Sequence, residues 1–306
     1  MVIQKTDYIW LNGKFLNWDE ANVHLSIHAL HYGSGIFEGI RCYLTDRGPA
    51  IFRLRPHMER FFRSAGSYGI DLPYSLEQLE TAILELIRKN RLQHCYIRPL
   101  AYYGTGTLSL IPKECPVDVA ILVWPWGTYL GEKNLELGVR ATISPVVKFH
   151  STMFPATAKG SGQYLNSILA IREAISRGFD EAVLLDKDGF VCEGSGENLF
   201  VVRDGCVITN GVESSILLGV TRESVLAIAR DLGLEVCVRP IKPEELHTAE
   251  ELFFTGTAAE VTPIRQIDDH VVGSGHRGPI TAQLQNAFFA AVNGRSERYL
   301  NWVTFV

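Results

Sequence analysis

Residues 154–167 read FPATAKGSGQYLNS and place Lys159 among glycines and other small side chains. Small neighbours let a planar ligand approach the backbone and leave the lysine amine accessible. A lysine that forms an imine needs this access and a lowered amine pKa. The segment therefore favours a nucleophilic Lys159, although a lysine on a surface turn would have the same local sequence.

Two further side chains suit the same chemistry. Tyr164 begins a helix predicted over 164–177, where its phenol could hold a proton near the amine, although an ordinary core tyrosine is the simpler interpretation. Glu193 stands in a β-rich run directly before a Gly-Ser-Gly triplet. Its carboxylate either faces solvent or is buried beside a cation, for which a protonated heterocycle nitrogen would serve.

Two donor-rich turns in the second half of the chain suit anions. The segment SSILLGVTRESV leads into a helix predicted over 221–232. Free N–H groups at a helix start bind phosphate, although Thr221 is also an ordinary N-cap residue. The segment FFTGTAAEV places the donors of Thr257 and Ala258 after a strand. Together the turns could hold a cofactor phosphate and a substrate carboxylate.

Two arginines lie beside apolar residues, Arg60 in HMERFF and Arg98 in YIRPL. An arginine in an apolar strand is costly unless it has an anionic partner. We therefore expect Arg98 to bind an anion, whereas Arg60 suits an exposed helix face equally well.

The composition excludes several classes of protein. The chain has 306 residues and a formal net charge of −5, which argues against a nucleic-acid-binding protein. Its six cysteines show neither C-x-x-C nor zinc spacing, so we expect free thiols in a reducing compartment and no metal site. We find no signal-peptide pattern, no apolar run of membrane-spanning length, and no P-loop, HExxH, GxSxG or GxGxxG motif. The predicted location is the cytoplasm.

Short turns between β-rich runs predict a mixed α/β (α+β) fold with antiparallel-rich sheets and helices. Asn12-Gly13, Asp188-Gly189 and Asp204-Gly205 are hairpin signals, and strands that pair through such turns argue against a doubly wound parallel sheet. The turn-rich segment after residue 124 predicts an interdomain linker. The predicted division is a small N-terminal domain (1–124), a loop (125–137) and a large C-terminal domain carrying Lys159 (138–306).

Seven motifs together resemble one family. HALHYGSGIFEGIR, YIRPL, PWGTYLG, TAKGSGQYLNS, EGSGENLF, GVTR and TGTAAEVTPI occur in the order found in branched-chain amino acid aminotransferases. These are pyridoxal-phosphate enzymes of fold type IV, and their fold is similar to the fold of D-amino acid aminotransferase. The resemblance covers nearly the whole chain, from about residue 8 to residue 290.

The resemblance implies a role for each cofactor-binding residue. Lys159 would form the internal aldimine with pyridoxal 5′-phosphate and move the substrate proton. Glu193 would pair with the pyridine nitrogen, and Tyr164 would hydrogen-bond the ring oxygen. The phosphate would be held by Arg60, Val220, Thr221 and Thr257, and Leu217 would pack on the ring.

The resemblance also implies a substrate pocket. Tyr96, Arg98, Thr257 and Ala258 would recognise carboxylates. Tyr32, Phe37, Trp126 and Tyr129 would line an apolar side-chain site.

The activity implied is transfer of the amino group of leucine, isoleucine or valine to 2-oxoglutarate by a ping-pong mechanism. Two departures from the family pattern are the loop GTGTLSLIP (104–112), which borders the substrate pocket, and Leu218, where proline is common. The loop leaves an alternative open, a fold type IV transaminase for D-amino acids or (R)-primary amines. The family assembles at least as homodimers, and both a dimer and a hexamer remain open. The expected partners are amino acids, 2-oxo acids and further copies of the chain. Neither a nucleic acid nor a membrane is expected as a partner.

Overall fold

The computed structural model describes residues 3–127 and 133–306. The first ten strands and helices are β1 (Tyr8–Leu11), β2 (Lys14–Asn17), α1 (His28–Tyr32), β3 (Gly35–Phe37), β4 (Ile40–Thr45), β5 (Gly48–Phe52), α2 (Leu54–Ser67), α3 (Leu76–Lys89), β6 (Cys95–Tyr103) and β7 (Val117–Trp124). They are followed by α4 (Asn134–Leu137), β8 (Val139–Ile143), α5 (Tyr164–Ser176), β9 (Glu181–Leu185), β10 (Val191–Gly194), β11 (Asn198–Arg203), β12 (Cys206–Thr209), α6 (Val220–Asp231), β13 (Glu235–Val238), α7 (Pro243–His247), β14 (Glu251–Gly256), β15 (Glu260–Ile267), β16 (His270–Val271), α8 (Pro279–Val292) and β17 (Val303–Phe305).

The chain forms two compact units, neither of which is continuous in sequence. The first comprises Met1–Trp126, Ala158–Gln163 and Ala291–Val306, and the second comprises Gly127–Thr157 and Tyr164–Ala290. The linear division predicted above differs from this in two places. Lys159 belongs to the first unit rather than to a domain over 138–306, and so does the C-terminal segment.

Backbone pairing explains both differences. The backbone N–H of Phe37 donates to the carbonyl of Lys159 (3.1 Å), and Gly160 forms a β-bridge with Ile36. At the other end of the chain, β17 pairs antiparallel with β5. Such long-range pairing leaves no periodic signal in the local sequence.

The sheet of the first unit is antiparallel throughout. Its strand order is β17-β5-β4-β6-β7-β1-β2, and β3 pairs with β6 beside this path. Asn12-Gly13 forms the predicted hairpin turn between β1 and β2. The apolar faces of α2 and α3 contribute Met58, Phe61, Ile83 and Leu86 to a core shared with the sheet.

The sheet of the second unit is mixed. Its strand order is β10-β9-β8-β15-β14-β11-β12-β13, with β16 paired to β15. The β8–β9, β8–β15 and β12–β13 pairs are parallel and the others are antiparallel. Both hairpins predicted from Asp-Gly turns are present, β9–β10 and β11–β12. The prediction of a mixed α/β fold with antiparallel-rich sheets is confirmed.

Two further observations bear on the predicted class of protein. Over residues 3–127 and 133–306, no helix is long and apolar enough to cross a membrane. All six cysteines are free thiols.

Candidate active site

Lys159 is held in the first unit through both of its backbone polar groups. Its N–H donates to the hydroxyl of Ser64, a fully buried residue of α2 (2.9 Å), and its carbonyl accepts from Phe37. These two hydrogen bonds fix the backbone at Lys159, and the residue is only partly exposed, which argues against a lysine on a surface turn.

The glycine after Lys159 is required by packing. A Cβ atom at Gly160 would overlap the hydroxyl of Tyr68. That hydroxyl accepts a hydrogen bond from the Gln163 side chain, and burial raises the pKa of Tyr68 to about 12. Gly160 thus lets Tyr68, directly after α2, approach the backbone closely.

The surroundings of the Lys159 amine suit a nucleophile. Burial, the largest cause, and the charge of Arg60 lower its pKa to about 8, against an opposing effect of Glu38. Its Nζ lies 5.0 Å from the centre of the Phe37 ring. An amine with this pKa is neutral far more often near pH 7 than an ordinary lysine, as imine formation requires.

A buried charge cluster next to this lysine was missed by the sequence analysis. Glu38, fully buried, accepts from Arg60 at both oxygens (Nε–Oε1 2.6 Å, Nη2–Oε2 2.9 Å) and from Nδ1 of His57 (2.8 Å). Burial alone would raise the pKa of Glu38, but the charge of Arg60 and the His57 hydrogen bond outweigh it, so the pKa is lowered. Burial lowers the pKa of His57. The only signal in the sequence is a glutamate in the apolar segment GIFEGI.

Arg98 lies among aromatic rings of the same unit. Its guanidinium carbon is 4.6 Å from the centre of the Phe37 ring and 5.3 Å from that of Tyr96. The ring of Tyr96 lies 4.7 Å from that of Trp126. Among the described residues, the buried Nε of Arg98 has no hydrogen-bond partner. One donor of Arg98 is thus unused among the described residues and lies beside an apolar surface, and anion binding by Arg98 stays a prediction.

The remaining predicted wall residues lie elsewhere or outside the described chain. Tyr32, in α1, is 47% exposed, and its hydroxyl donates to the carbonyl of Leu108 (2.8 Å) in the unusual loop. Tyr129 falls outside the described residues. Neither prediction is tested by the geometry.

Glu193 is buried in the second unit, which excludes the solvent-facing interpretation. Its Oε1 accepts from Nζ of Lys148 (2.6 Å). Its Oε2 accepts from the backbone N–H of Leu217 (3.1 Å) and from the Asn198 amide (3.3 Å). The required cation is present as Lys148, a residue that the sequence analysis did not select.

The buried Lys148 differs from Lys159 in its charge state. Burial opposes the charge on the Lys148 amine, but the charge of Glu193 and the hydrogen bond to it outweigh burial and raise the pKa. Lys148 is therefore held as an ammonium ion. Of the two, Lys159 is the one suited to nucleophilic attack.

Helix α6, at the predicted anion site, is capped by a residue other than Thr221. The helix begins at Val220, and its N-cap is Gly219, which has no side chain with which to cap the helix. Thr221 is the second helical residue and is buried, so the interpretation of Thr221 as a plain N-cap is wrong. The first-turn N–H groups keep the donor character expected there.

The second donor-rich turn joins β14 to β15. Thr257 and Ala258 lie in this turn and are partly exposed. The preceding Thr255 is buried, and its hydroxyl has no hydrogen-bond partner among the described residues. Tyr164 begins α5, as predicted, and is partly buried.

Comparison with known proteins agrees with the motifs. The family model described as amino-transferase class IV matches residues 35–267. The branched-chain-amino-acid aminotransferase of Pseudomonas aeruginosa is 43% identical over 298 residues, which make up 97% of this chain and 97% of that protein. The protein of the same name from Escherichia coli K12 is 42% identical over 304 residues, 99% of this chain and 98% of that protein.

Solved structures show the same relationship. The branched-chain amino acid aminotransferase of Escherichia coli has a TM-score of 0.96 at 43% identity, covering 98% of this chain and 99% of that chain. The branched-chain amino acid aminotransferase of Thermobaculum terrenum, solved in its PLP-bound holo form, has a TM-score of 0.92 at 35% identity, with coverage of 98% of each chain.

Proposed function

Because the chain belongs to the class IV aminotransferases, we propose that it transfers the amino group of leucine, isoleucine or valine to 2-oxoglutarate. Enzymes of this family use pyridoxal phosphate. Relatives over 40% identical across nearly the full length carry the branched-chain name, which supports the same substrate class here.

Lys159 is the observation that carries this proposal. Its backbone is fixed at both polar groups, and its amine has a pKa of about 8. A second lysine, the buried Lys148, is engaged with Glu193 as an ion pair.

The donors present fit the cofactor. A phosphate needs several N–H or hydroxyl donors, and the start of α6 and the turn after β14 supply them. The buried hydroxyl of Thr255, which has no hydrogen-bond partner among the described residues, lies two positions before that turn. The residues that would hold the cofactor are Arg60, Lys159, Tyr164, Glu193, Leu217, Val220, Thr221 and Thr257.

When bound, pyridoxal phosphate supplies a reactive carbonyl and an electron-withdrawing ring that stabilises a carbanion. Lys159 supplies the nucleophilic amine and then acts as the base that accepts the proton of the substrate Cα. Glu193 supplies a buried carboxylate for a protonated ring nitrogen. Tyr164 supplies a phenol hydrogen bond.

The substrate is bound by groups that combine charge with apolar surface. Arg98 would pair with a carboxylate, because its Nε is buried without a hydrogen-bond partner among the described residues. The rings of Phe37, Tyr96 and Trp126 would pack on an aliphatic side chain. Thr257 and Ala258 would add donors for a carboxylate, and Tyr32 and Tyr129 would complete the wall.

Half-reactions distinguish this substrate class from the D-amino acid or (R)-amine alternative. The visible absorbance of the bound cofactor is recorded on adding L-leucine, D-alanine or an (R)-arylamine, without an amino acceptor. We expect L-leucine to remove the band rapidly and 2-oxoglutarate to restore it. A band removed by D-alanine or the amine but not by L-leucine would establish the alternative instead.

We also propose that the chain acts as a homodimer or larger homo-oligomer in the cytoplasm. Large apolar side chains are exposed in and near the 104–112 loop, including Leu30, Leu110 (81% exposed) and Ile111 (71% exposed). A cluster of this kind is typical of a surface covered by another protein chain. The six free thiols support a reducing compartment.

A further inference from the structure

Lys148 and Glu193 form a buried ion pair at the centre of a hydrogen-bond network. The side chains are each only 8% exposed, and Nζ lies 2.6 Å from Oε1. The backbone N–H of Lys148 donates to the carbonyl of Leu185 (2.8 Å), which fixes the lysine against the end of β9.

The second carboxylate oxygen of Glu193 is held from other elements. Leu217, in the loop before α6, donates its N–H, and Asn198, at the start of β11, donates its amide. The same Asn198 amide also donates to the carbonyl of Leu217 (2.8 Å), so it ties this loop to β11. The carboxylate is therefore fixed in position by three donors, of which one is charged.

The other groups that face the Lys148 amine do not replace Glu193 as its partner. The Phe149 ring centre lies 4.4 Å from Nζ, and Tyr164 and Cys192 are titratable neighbours. Burial raises the pKa of the Cys192 thiol far above its usual value, so this thiol stays neutral. Glu193 is thus the anion that compensates the buried ammonium.

We propose that Lys148 is a positioning residue that keeps the cofactor proton on the pyridine nitrogen by holding Glu193 ionised. This rests on the proposed function, in which Glu193 pairs with that nitrogen. A proton shared between the two groups resides on the nitrogen or on the carboxylate. Its transfer to Glu193 would leave the Lys148 ammonium buried without its anion, which is strongly unfavourable.

Nitrogen-15 NMR of holoenzyme reconstituted with ¹⁵N-labelled pyridoxal phosphate tests this role. Lys148→Met removes the charge, Lys148→Gln removes it but keeps a hydrogen-bond donor, and Lys148→Arg keeps both. We expect the pyridine resonance to move toward its unprotonated position in the first two variants and to stay at the protonated position in Lys148→Arg. Lys187→Met is the matched control, because Lys187 is half exposed and pairs with exposed Asp188.

The outcomes separate this role from the proposed function. A wild-type enzyme that takes up no labelled cofactor would overturn both. A protonated wild-type resonance that is unchanged in Lys148→Gln would overturn only the role of Lys148, and a lowered melting temperature in that variant would then indicate a structural ion pair. If Lys148→Met does not fold, the pyridine nitrogen resonances of Lys148→Gln and Lys148→Arg are compared instead. A difference between them supports the role of Lys148, and identical protonated resonances overturn it.

Discussion

The surroundings of Lys148 and Lys159 shift their pKa values in opposite directions. Lys148 has a carboxylate 2.6 Å away, whereas Lys159 is close to the guanidinium of Arg60 and to Glu38, which already pairs with that guanidinium. Burial penalises both amines, and only a dedicated counter-ion overcomes the penalty. The sequence motif predicts that Lys159 is the nucleophile, and this difference in charge supports that proposal.

The pKa of Lys159 predicts how cofactor uptake depends on pH. Only the neutral amine attacks a carbonyl, so the rate at which the apoenzyme takes up pyridoxal phosphate should rise with pH and level off above about 8. Stopped-flow absorbance across this range measures the rate. An inflection near 10.5, the value of an ordinary lysine, would contradict the account.

A substitution at Gly39 should affect activity through the neighbouring ring of Tyr96. A Cβ atom here would overlap the hydroxyl of Tyr96, whose ring packs on Trp124 and Trp126. Gly39→Ala should displace that ring and lower kcat/KM for L-leucine by on the order of 10²-fold, because small misplacements of binding groups have effects of this size. Gly66→Ala, where nothing lies within 4 Å of a new Cβ, is the control. Equal kcat/KM values for the two variants would show that the Tyr96 position is unimportant.

At the level of elements, the Glu38 cluster joins the residue after β3 to two successive turns of α2. Removing the charge of Glu38 leaves Arg60 buried without its carboxylate. Glu38→Gln should therefore lower the free energy of unfolding by about 3–5 kcal/mol, measured by urea denaturation. Glu77→Gln, which removes an exposed partner of Arg55, is the control and should have little effect.

The Glu38–Arg60 ion pair should also make the free energy of unfolding depend on pH. The pKa of Glu38 is lowered in the folded protein, so its stabilising contribution is complete above its usual value of 4.5 and is lost as the pH falls below it. The difference between wild type and Glu38→Gln should thus shrink in acid. A difference that is constant with pH would exclude an ionic origin.

Helix α5 has an unusual distribution of side chains for a helix on the surface of a monomer. Its buried residues are the small Ser167, Ala170 and Ala174. Its exposed face carries the larger Leu165 (66% exposed) and Leu169 (55% exposed), with Ile168 and Ile175. A second copy of the chain would bury this apolar face.

The double substitution Leu165→Asp and Leu169→Asp should therefore reduce the molar mass of the assembly in solution. Light scattering coupled to size exclusion measures it, and circular dichroism checks the fold. Leu44→Asp, at an exposed site on β4, should leave the mass unchanged. A double variant with the wild-type mass would show that α5 is not part of the interface.

For the whole molecule, the sequence predicts the local elements better than their assembly. The helices predicted over 164–177 and 221–232 are present as α5 and α6, and the Asp-Gly turns predict the hairpins. The two compact units differ from the linear domain division, because Lys159 joins the first unit through Phe37 and Ser64. Hydrogen bonds between residues so far apart in the chain have no local signature.

The sequence also predicts only some of the residues of the candidate site. Residues whose type alone suggests chemistry, such as Lys159, Glu193 and Arg98, could be selected from their segments. Lys148 and Glu38 could not, because their roles depend on partners brought close by folding, at sequence separations of 45 and 22 residues. Ion-pair partners of this kind become visible only in three dimensions.

Borohydride reduction followed by peptide mass spectrometry shows whether Lys159 binds the cofactor covalently. Reduction makes the link between lysine and cofactor permanent, and digestion then locates it. We predict a phosphopyridoxyl group on the peptide containing Lys159 and none on the peptide containing Lys148. A modified Lys148, or no modified lysine in protein saturated with pyridoxal phosphate, would contradict the account.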